Sequence, residues 1–379
     1  MIKVCIVQRR LTHYRVPLFA TLRELLAGQG VQLELLTGHG TPAEEKKHDA
    51  GDLPWATSIP TRYWLDGRLC WQPVGGHLAG ADLVIVTQEN KLLQNHLLLM
   101  RPRRFKLAFW GHGANLQSDN PHGLKERFKR WTTNRVDWWF AYTQMSAGLV
   151  TAAGFPDARI TVLNNAVDTA ELLAQRQSIT PEETQALCEF LGFGAGPVGI
   201  YVGSLYADKR LDFLFDAAEA IHRELPDFHF LIVGEGPERD TVRDWCAAHP
   251  WARWVGARFG REKATHMALA QITLNPGLVG LGVLDTFVCG TPILTTDCGL
   301  HSPEISYLEN GVNGLMTAND MKSYVDACVR LLRDARELED LRAGCAASAC
   351  EYTVENMAQR FADGIMCCLE APRHAGRRR

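Results

Sequence analysis

A chain of 379 residues, 46% apolar and 22% charged, can bury a full core, divides most economically into two domains and is not disordered. The opening Met1-Ile-Lys-Val-Cys-Ile-Val7 lacks a signal-peptide pattern, and no stretch approaches ~18 consecutive apolar residues, so a cytoplasmic chain without a membrane span is expected. The net charge of −3 hides an asymmetry. Residues 1–175 hold 20 Lys and Arg against 15 Asp and Glu, and the remainder 20 against 28, so an acidic partner or membrane surface would meet the first half.

The eleven cysteines show no Cys-x-x-Cys pair and no zinc spacing, and read as reduced thiols, with Cys5, Cys289 and Cys298 in the core. No Asp-x-Asp occurs, which removes the usual sign of a metal-bridged diphosphate; no metal and no cofactor are expected. Mild acidity and the lack of a binding module exclude nucleic acid as a partner.

In chain order, the strand Ile2 to Val7 leads into a loop, Gln8 to Arg15, and a helix with Pro17 in its first turn and Leu18, Phe19, Leu22, Leu25 and Leu26 on one face. Strands follow at Val31 to Leu36, Leu83 to Thr87, Lys106 to Trp110, Trp138 to Tyr142 and Ile160 to Leu163, in the rhythm of a helix-covered parallel sheet. Lys106-Leu-Ala-Phe-Trp-Gly-His-Gly113 delivers His112 at a strand end between glycines, which let another molecule approach. Leu124 to Trp139 interleaves basic and aromatic residues, either as an interfacial helix against anionic lipid or as an ordinary amphipathic one.

The rhythm breaks at 176–197, a polar, helix-like stretch followed by Gly192-Phe-Gly-Ala-Gly-Pro197, which reads as a linker. Strands resume at Val198 to Val202, Phe228 to Val233, Arg253 to Val255, Ile272 to Leu274 and Ile293 to Thr295. Two such halves imply a cleft lined by strand C-termini. Tyr201-Val-Gly-Ser-Leu-Tyr-Ala-Asp-Lys-Arg-Leu-Asp212 sets Lys209 and Arg210 at a helix start, where cations call for an anion, unless they are solvated charges offset by Asp208 and Asp212. Asn275-Pro-Gly-Leu-Val-Gly280 is a loop before a helix from about Leu281 to Cys289, offering N–H groups to a phosphate and carrying one acid, Asp285. The final 320–370 is helical.

The run Asp285-Thr-Phe-Val-Cys-Gly-Thr-Pro292 resembles the donor site of retaining glycosyltransferases of family 4, whose pattern is a Glu, seven residues, a second Glu, then Ala-Met-Ala-x-Gly-x-Pro. Asp285 stands at the second Glu and Gly277 at the first. Lys209 matches the family's diphosphate Lys, with Ser204 in place of its Arg and Arg210 in place of the following Gly. Phe230 to Glu238, Asn164-Asn-Ala-Val-Asp168, Gly299-Leu-His-Ser-Pro-Glu304 and Glu309 to Leu315 are similar to further family segments in the same order.

The resemblance implies an α/β chain of the GT-B arrangement, two Rossmann-like doubly wound domains facing across a cleft. Residues 1–175 form the acceptor domain, 176–197 the linker and 198–350 the nucleotide-sugar donor domain. Residues 351–370 form a helix crossing back to the first domain, and 371–379 a basic tail. It implies metal-free transfer of a sugar, with retention, from a nucleoside diphosphate donor to a glycan or lipid-linked acceptor, peripheral to the inner face of the cytoplasmic membrane. His112, Lys209, Arg210 and Asp285 are the catalytic candidates. Ser204, Gly277, Leu278, Val279, Gly280 and Glu304 are the donor-binding ones, and Trp254 to Phe259 marks the place of the base. The Gln8 to Arg15 loop supplies the acceptor candidates Arg9, Arg10, His13, Tyr14 and Arg15. The rival readings are a binding subunit of the same fold that has lost activity, suggested by Ser204 and Gly277, and a nucleotide-sugar epimerase, which would turn over without acceptor.

Overall fold

A computed structural model describes residues 1–46, 49–113 and 131–374. The chain forms two units, Met1–Asp168 with Val354–Arg379, and Thr169–Thr353.

Unit 1 contains strands β1 (Ile2–Gln8), β2 (Val31–Thr37), β3 (Thr57–Ser58), β4 (Arg62–Trp64), β5 (Leu69–Trp71), β6 (Leu83–Thr87), β7 (Lys106–Gly111), β8 (Trp138–Ala141) and β9 (Ile160–Val162). Seven make one parallel sheet, in the order β3-β2-β1-β6-β7-β8-β9, and β4 and β5 form a small antiparallel pair. Strands β6 and β8 are buried at every residue, as a sheet covered on both faces requires. The helix Val16–Gly28 buries Leu18, Phe19, Leu22 and Leu26 and packs against the last helix, Val354–Glu370. Phe361 of that last helix meets Trp110 and Phe140 at ring separations of 5.1 and 4.6 Å. Lys106 caps its C-terminus, with Nζ donating to the carbonyls of Cys368, Leu369 and Ala371 at 2.8, 2.5 and 2.5 Å.

Unit 2 has β10 (Val198–Val202), β11 (His229–Val233), β12 (Ala252–Trp254), β13 (Ile272–Leu274), β14 (Ile293–Thr296) and β15 (Gly314–Thr317), all parallel in the order β12-β11-β10-β13-β14-β15. The strand order reverses between β10 and β13, and in unit 1 between β1 and β6. In doubly wound sheets the C-terminal ends of the strands at such a reversal are where ligands bind. The helix Leu211–Glu224 covers this sheet with Leu211, Leu214, Phe215, Ala218 and Ile221, one stripe at helical spacing.

The expected linker at 176–197 is instead part of unit 2. Its central helix, Pro181–Leu191, starts in a capping box between Thr180 and Glu183, and Leu191 and Phe193 are buried in the cluster that holds Val198, Ile200 and Met267. The stretch reads as polar because most of this helix faces solvent. Unit 2 accordingly begins at Thr169, and the chain returns to unit 1 at Val354.

All eleven cysteines are free; Cys5 and Cys289 are buried, while Cys298 is half-buried rather than in the core. Of the basic-aromatic stretch, 124–130 lies outside the described residues, and so does 375–379 of the tail. Trp138 and Trp139 are buried in β8.

Candidate functional site

The predicted donor residues come together at the strand reversal of unit 2. The loop after β10 ends on Arg210, whose backbone is left-handed (φ +55°, ψ 50°), the conformation that favours glycine, the residue of the resembled family pattern at this position. Arg210 Nη1 donates to Pro276 O at 3.2 Å, Thr296 Oγ1 at 3.0 Å and Asn319 Oδ1 at 2.6 Å, and its guanidinium lies over Phe213. It ties the loops after β13, β14 and β15 together. Lys209 donates from Nζ to Leu278 O at 2.5 Å, and burial pushes its ammonium down to about 8, with Asp208 opposing the shift. Among the described residues neither cation forms an ion pair with a carboxylate.

The loop after β13 explains the absent first Glu. A Cβ built on Gly277 falls 2.5 Å from Lys209 C and O and 2.6 Å from Asp208 O, and Leu278 N donates to Asp208 O at 2.9 Å. The two loops touch backbone to backbone, so this position holds no side chain. Val279 N donates to His301 Nδ1 at 3.1 Å, while His301 Nε2 lies 2.7 Å from Thr296 O. That pair assigns a neutral imidazole with its proton on Nε2, and burial also pushes its pKa below the ordinary imidazole value. The helix Gly282–Cys289 begins just past Gly280 and directs its first-turn N–H groups toward this loop.

Asp285, in the first turn of that helix, pairs with Lys263 of the helix Gly260–Leu269 at 3.1 Å, both half-buried. Glu304 is buried in the 3-10 turn Pro303–Tyr307, at 3% exposure. Ser204 is exposed, and its carbonyl accepts from Tyr201 Oη at 2.9 Å. Phe259, in the stretch expected beside the base, is exposed at the N-cap of the Lys263 helix. Lys263, His301 and Asn319 were not singled out from the sequence. His301 lies in the Gly299 to Glu304 segment, whose place after a strand was its signal. Lys263 had none, because a helical lysine ordinarily reads as a solvated charge.

In unit 1, His112 follows β7, is exposed, and meets Tyr142 edge-on at 4.4 Å. The flanking glycines do not open the backbone to a visitor. A Cβ on Gly113 (φ +79°) falls 2.6 Å from Val150 Cγ2 and 2.8 Å from Ser146 O, so the close approach is to the protein's own helix Gln144–Ala152. On Gly111 the nearest atom is Gln88 Cβ at 3.3 Å.

The structure separates the five acceptor candidates. Arg9 forms a two-pronged pair with Glu44, both contacts at 2.7 Å, with Tyr63 Oη at 3.0 Å, and its guanidinium holds the Glu44 carboxyl down at about 2. Arg10 pairs the same way with Asp49, at 2.7 and 2.9 Å. His13 and Tyr14 are exposed, and Arg15 is buried among aromatic rings. Among the described residues no group of three or more His, Cys, Asp and Glu could hold a metal ion, and no helix is long and apolar enough to cross a membrane.

In the unit 2 site, a partly buried lysine and a loop set by backbone contacts face the start of a helix. Such an arrangement can hold a diphosphate and stabilise charge that develops on it.

Comparison with known proteins gives the same picture. Residues 196–334 match the family model described as Glycosyl transferases group 1, and residues 18–171 match Glycosyltransferase Family 4. The alpha-D-kanosaminyltransferase of Streptomyces kanamyceticus is 28% identical over 134 residues, covering 34% of this chain and 32% of that protein. The GDP-mannose-dependent alpha-(1-6)-phosphatidylinositol monomannoside mannosyltransferase of Mycolicibacterium smegmatis is 27% identical over 194 residues, 48% of this chain and 49% of that one. The matched region thus spans a third to a half of the length of these relatives. The crystal structure of Anabaena HepE in complex with UDP superposes with a TM-score of 0.68 at 16% identity, over 97% of this chain and 100% of that one. The architecture is GT-B, and the chain belongs to the family 4 glycosyltransferases.

Proposed function

We propose that this protein transfers a sugar from a nucleoside diphosphate sugar to a hydroxyl of a glycan or lipid-linked acceptor, with retention and without a metal, in the assembly of bacterial-type cell-surface polysaccharide or glycolipid. The observation that carries this reading is Lys209, a half-buried cation whose hydrogen-bond partner is a neutral carbonyl on the loop after β13. A diphosphate there would supply an anion and hold the lysine protonated to higher pH.

In this reading Lys209 and the N–H groups of the Gly277 to Gly280 loop take up negative charge as the diphosphate departs. Arg210 fixes the loops that carry them. Asp285, oriented by Lys263, accepts from the donor ribose, and His112 orients the transferred sugar. Loss of the first Glu removes the side chain that meets sugar hydroxyls in the family, so backbone groups of the shortened approach at Gly277 take that role. The mycolicibacterial relative is named for GDP-mannose and the Anabaena structure holds UDP, and both support a nucleoside diphosphate donor. A cytoplasmic place at the membrane surface follows from a lipid-linked acceptor and the basic first half.

The test is turnover of UDP- and GDP-sugars against a panel of glycan and lipid-linked acceptors, with the product anomer read by NMR in the presence of a chelator. Chelator-resistant transfer with the donor's own anomeric configuration is expected. An inverted product, or turnover that needs added metal, contradicts the mechanism. Donor binding without transfer to any acceptor favours the binding subunit instead.

A further inference from the structure

Unit 1 buries a cation that the described residues leave without an anion. Arg15 is 7% exposed, and its guanidinium meets the rings of Tyr14, Trp110 and Tyr142 at 5.2, 5.1 and 5.5 Å and the Met357 thioether at 3.8 Å from Nη1. Ring faces attract a cation, but they do not satisfy five N–H donors, and a thioether is a weak acceptor. The same cluster holds an orphan donor: among the described residues Trp110 Nε1 is buried with no hydrogen-bond partner. Buried donors left unmade are costly, and native proteins rarely keep them without a use. The other arginines of this loop show the ordinary solution, since Arg9 and Arg10 each grip a carboxylate through two nitrogens. The comparably buried Arg103 faces Asp137 at 3.4 Å.

We propose that the Arg15 cage is a subsite for a phosphate group carried by the acceptor. Six donors, five on the guanidinium and one on the indole, exceed what the two oxygens of a carboxylate take and suit the three terminal oxygens of a phosphate monoester. Tyr14, exposed and 5.2 Å from the guanidinium, is the ring that covers it. Tyr142 links the cage to His112, which touches its edge at 4.4 Å. A phosphate on Arg15 therefore brings the rest of its molecule beside the histidine assigned to the transferred sugar. The word acceptor rests on the transferase reading; the anion site rests on the geometry of unit 1 alone.

The experiment uses the full chain carrying Lys209→Ala, so that phosphate held by the donor site does not contribute. Methyl phosphate and acetate are titrated calorimetrically at equal ionic strength. Methyl phosphate is expected to bind one to one and acetate not at all. Arg15→Met should weaken the phosphate by at least about tenfold and Trp110→Phe by about threefold. Arg15→Met should also melt no lower than its parent, since it removes a buried charge without an anion, whereas a purely structural arginine would lower the melting temperature when removed. Co-sedimentation with phosphatidylcholine vesicles, with and without phosphatidic acid, identifies the source. Retention on phosphatidic acid that Arg15→Met abolishes assigns the phosphate to a lipid headgroup, and binding of methyl phosphate alone assigns it to a soluble acceptor.

The proposal is overturned by phosphate binding that survives Arg15→Met, by preference for acetate, or by binding of neither methyl phosphate nor phosphatidic acid. UDP and GDP binding to the unaltered chain is read in parallel. No nucleotide binding beside Arg15-dependent phosphate binding contradicts the transferase reading and leaves this site standing. The reverse result contradicts this site alone.

Discussion

The two units share a strand order, and each puts cations on loops at the C-terminal ends of its central strands, yet they treat those cations differently. In unit 1, Arg9 and Arg10 are neutralised by Glu44 and Asp49 in two-pronged pairs. In unit 2, Lys209 and Arg210 bond, among the described residues, to carbonyl, hydroxyl and amide oxygens. An arginine paired with a carboxylate shapes a loop and has little charge to offer a ligand. A cation held by neutral oxygens is oriented and still charged. What marks a binding site is therefore the charge of a cation's partner, and by that criterion Arg15 of unit 1 groups with Lys209.

The sharpest break of this contrast is Lys209→Ala, expected to lower kcat/KM for donor by about a hundredfold with little change in melting temperature, because it removes charge from the diphosphate and no core contact. Steady-state kinetics on donor checks it. Gly277→Ala comes next: the added methyl meets the Asp208 and Lys209 backbone, so destabilisation of about 1–3 kcal/mol with impaired nucleotide binding is expected from denaturant melts.

A pH series sharpens the point without mutation. With its ammonium at about 8 in the free protein, Lys209 is charged below that pH, so nucleotide affinity should fall as pH rises from 7 to 9. Stability should move the other way. The unfolded lysine keeps its proton up to about 10.5, so between about 8 and 10.5 the unfolded chain binds more protons and the folded state gains with rising pH.

Arg210→Gly relieves a left-handed backbone but cuts three hydrogen bonds to neutral oxygens, so donor KM should rise about fivefold with stability nearly unchanged. The smallest effect is expected on the paired side. Glu44 contributes stability that is present above its usual 4.5 and lost as pH falls through about 2. Glu44→Gln should therefore flatten acid unfolding across that window and leave nucleotide binding untouched.

Much of the fold was legible because β6, β10 and β13 are short apolar runs bounded by turn residues, and their ends fall where the sequence places them. Pro181–Leu191 was legible as a polar, helix-like stretch, but its place in unit 2 was not, because only one narrow edge of it is apolar and buries little. In the site, Lys209 and Asp285 were legible from spacing. The pairing of Arg9 and Arg10 was not, since Glu44 and Asp49 lie 35 and 39 residues away and meet them only through the fold. Gly277 was matched to a lost carboxylate, and only three dimensions reveal the neighbouring backbone that excludes a side chain there. Asp285 shows the same limit, because its partner Lys263 sits on a separate helix.

The central claim, that the unit 2 loops hold a nucleoside diphosphate through a lysine charge that the described residues hold with a neutral carbonyl, is tested most directly by thermal stabilisation with UDP, GDP, CDP and ADP, without and with magnesium, on the unaltered chain and on Lys209→Ala. One nucleotide at a hundred times its dissociation constant should add about 2.7 kcal/mol, raising the melting midpoint by a few degrees without magnesium, and Lys209→Ala should abolish the rise. No rise with any nucleotide, or a rise that Lys209→Ala leaves intact, would contradict it.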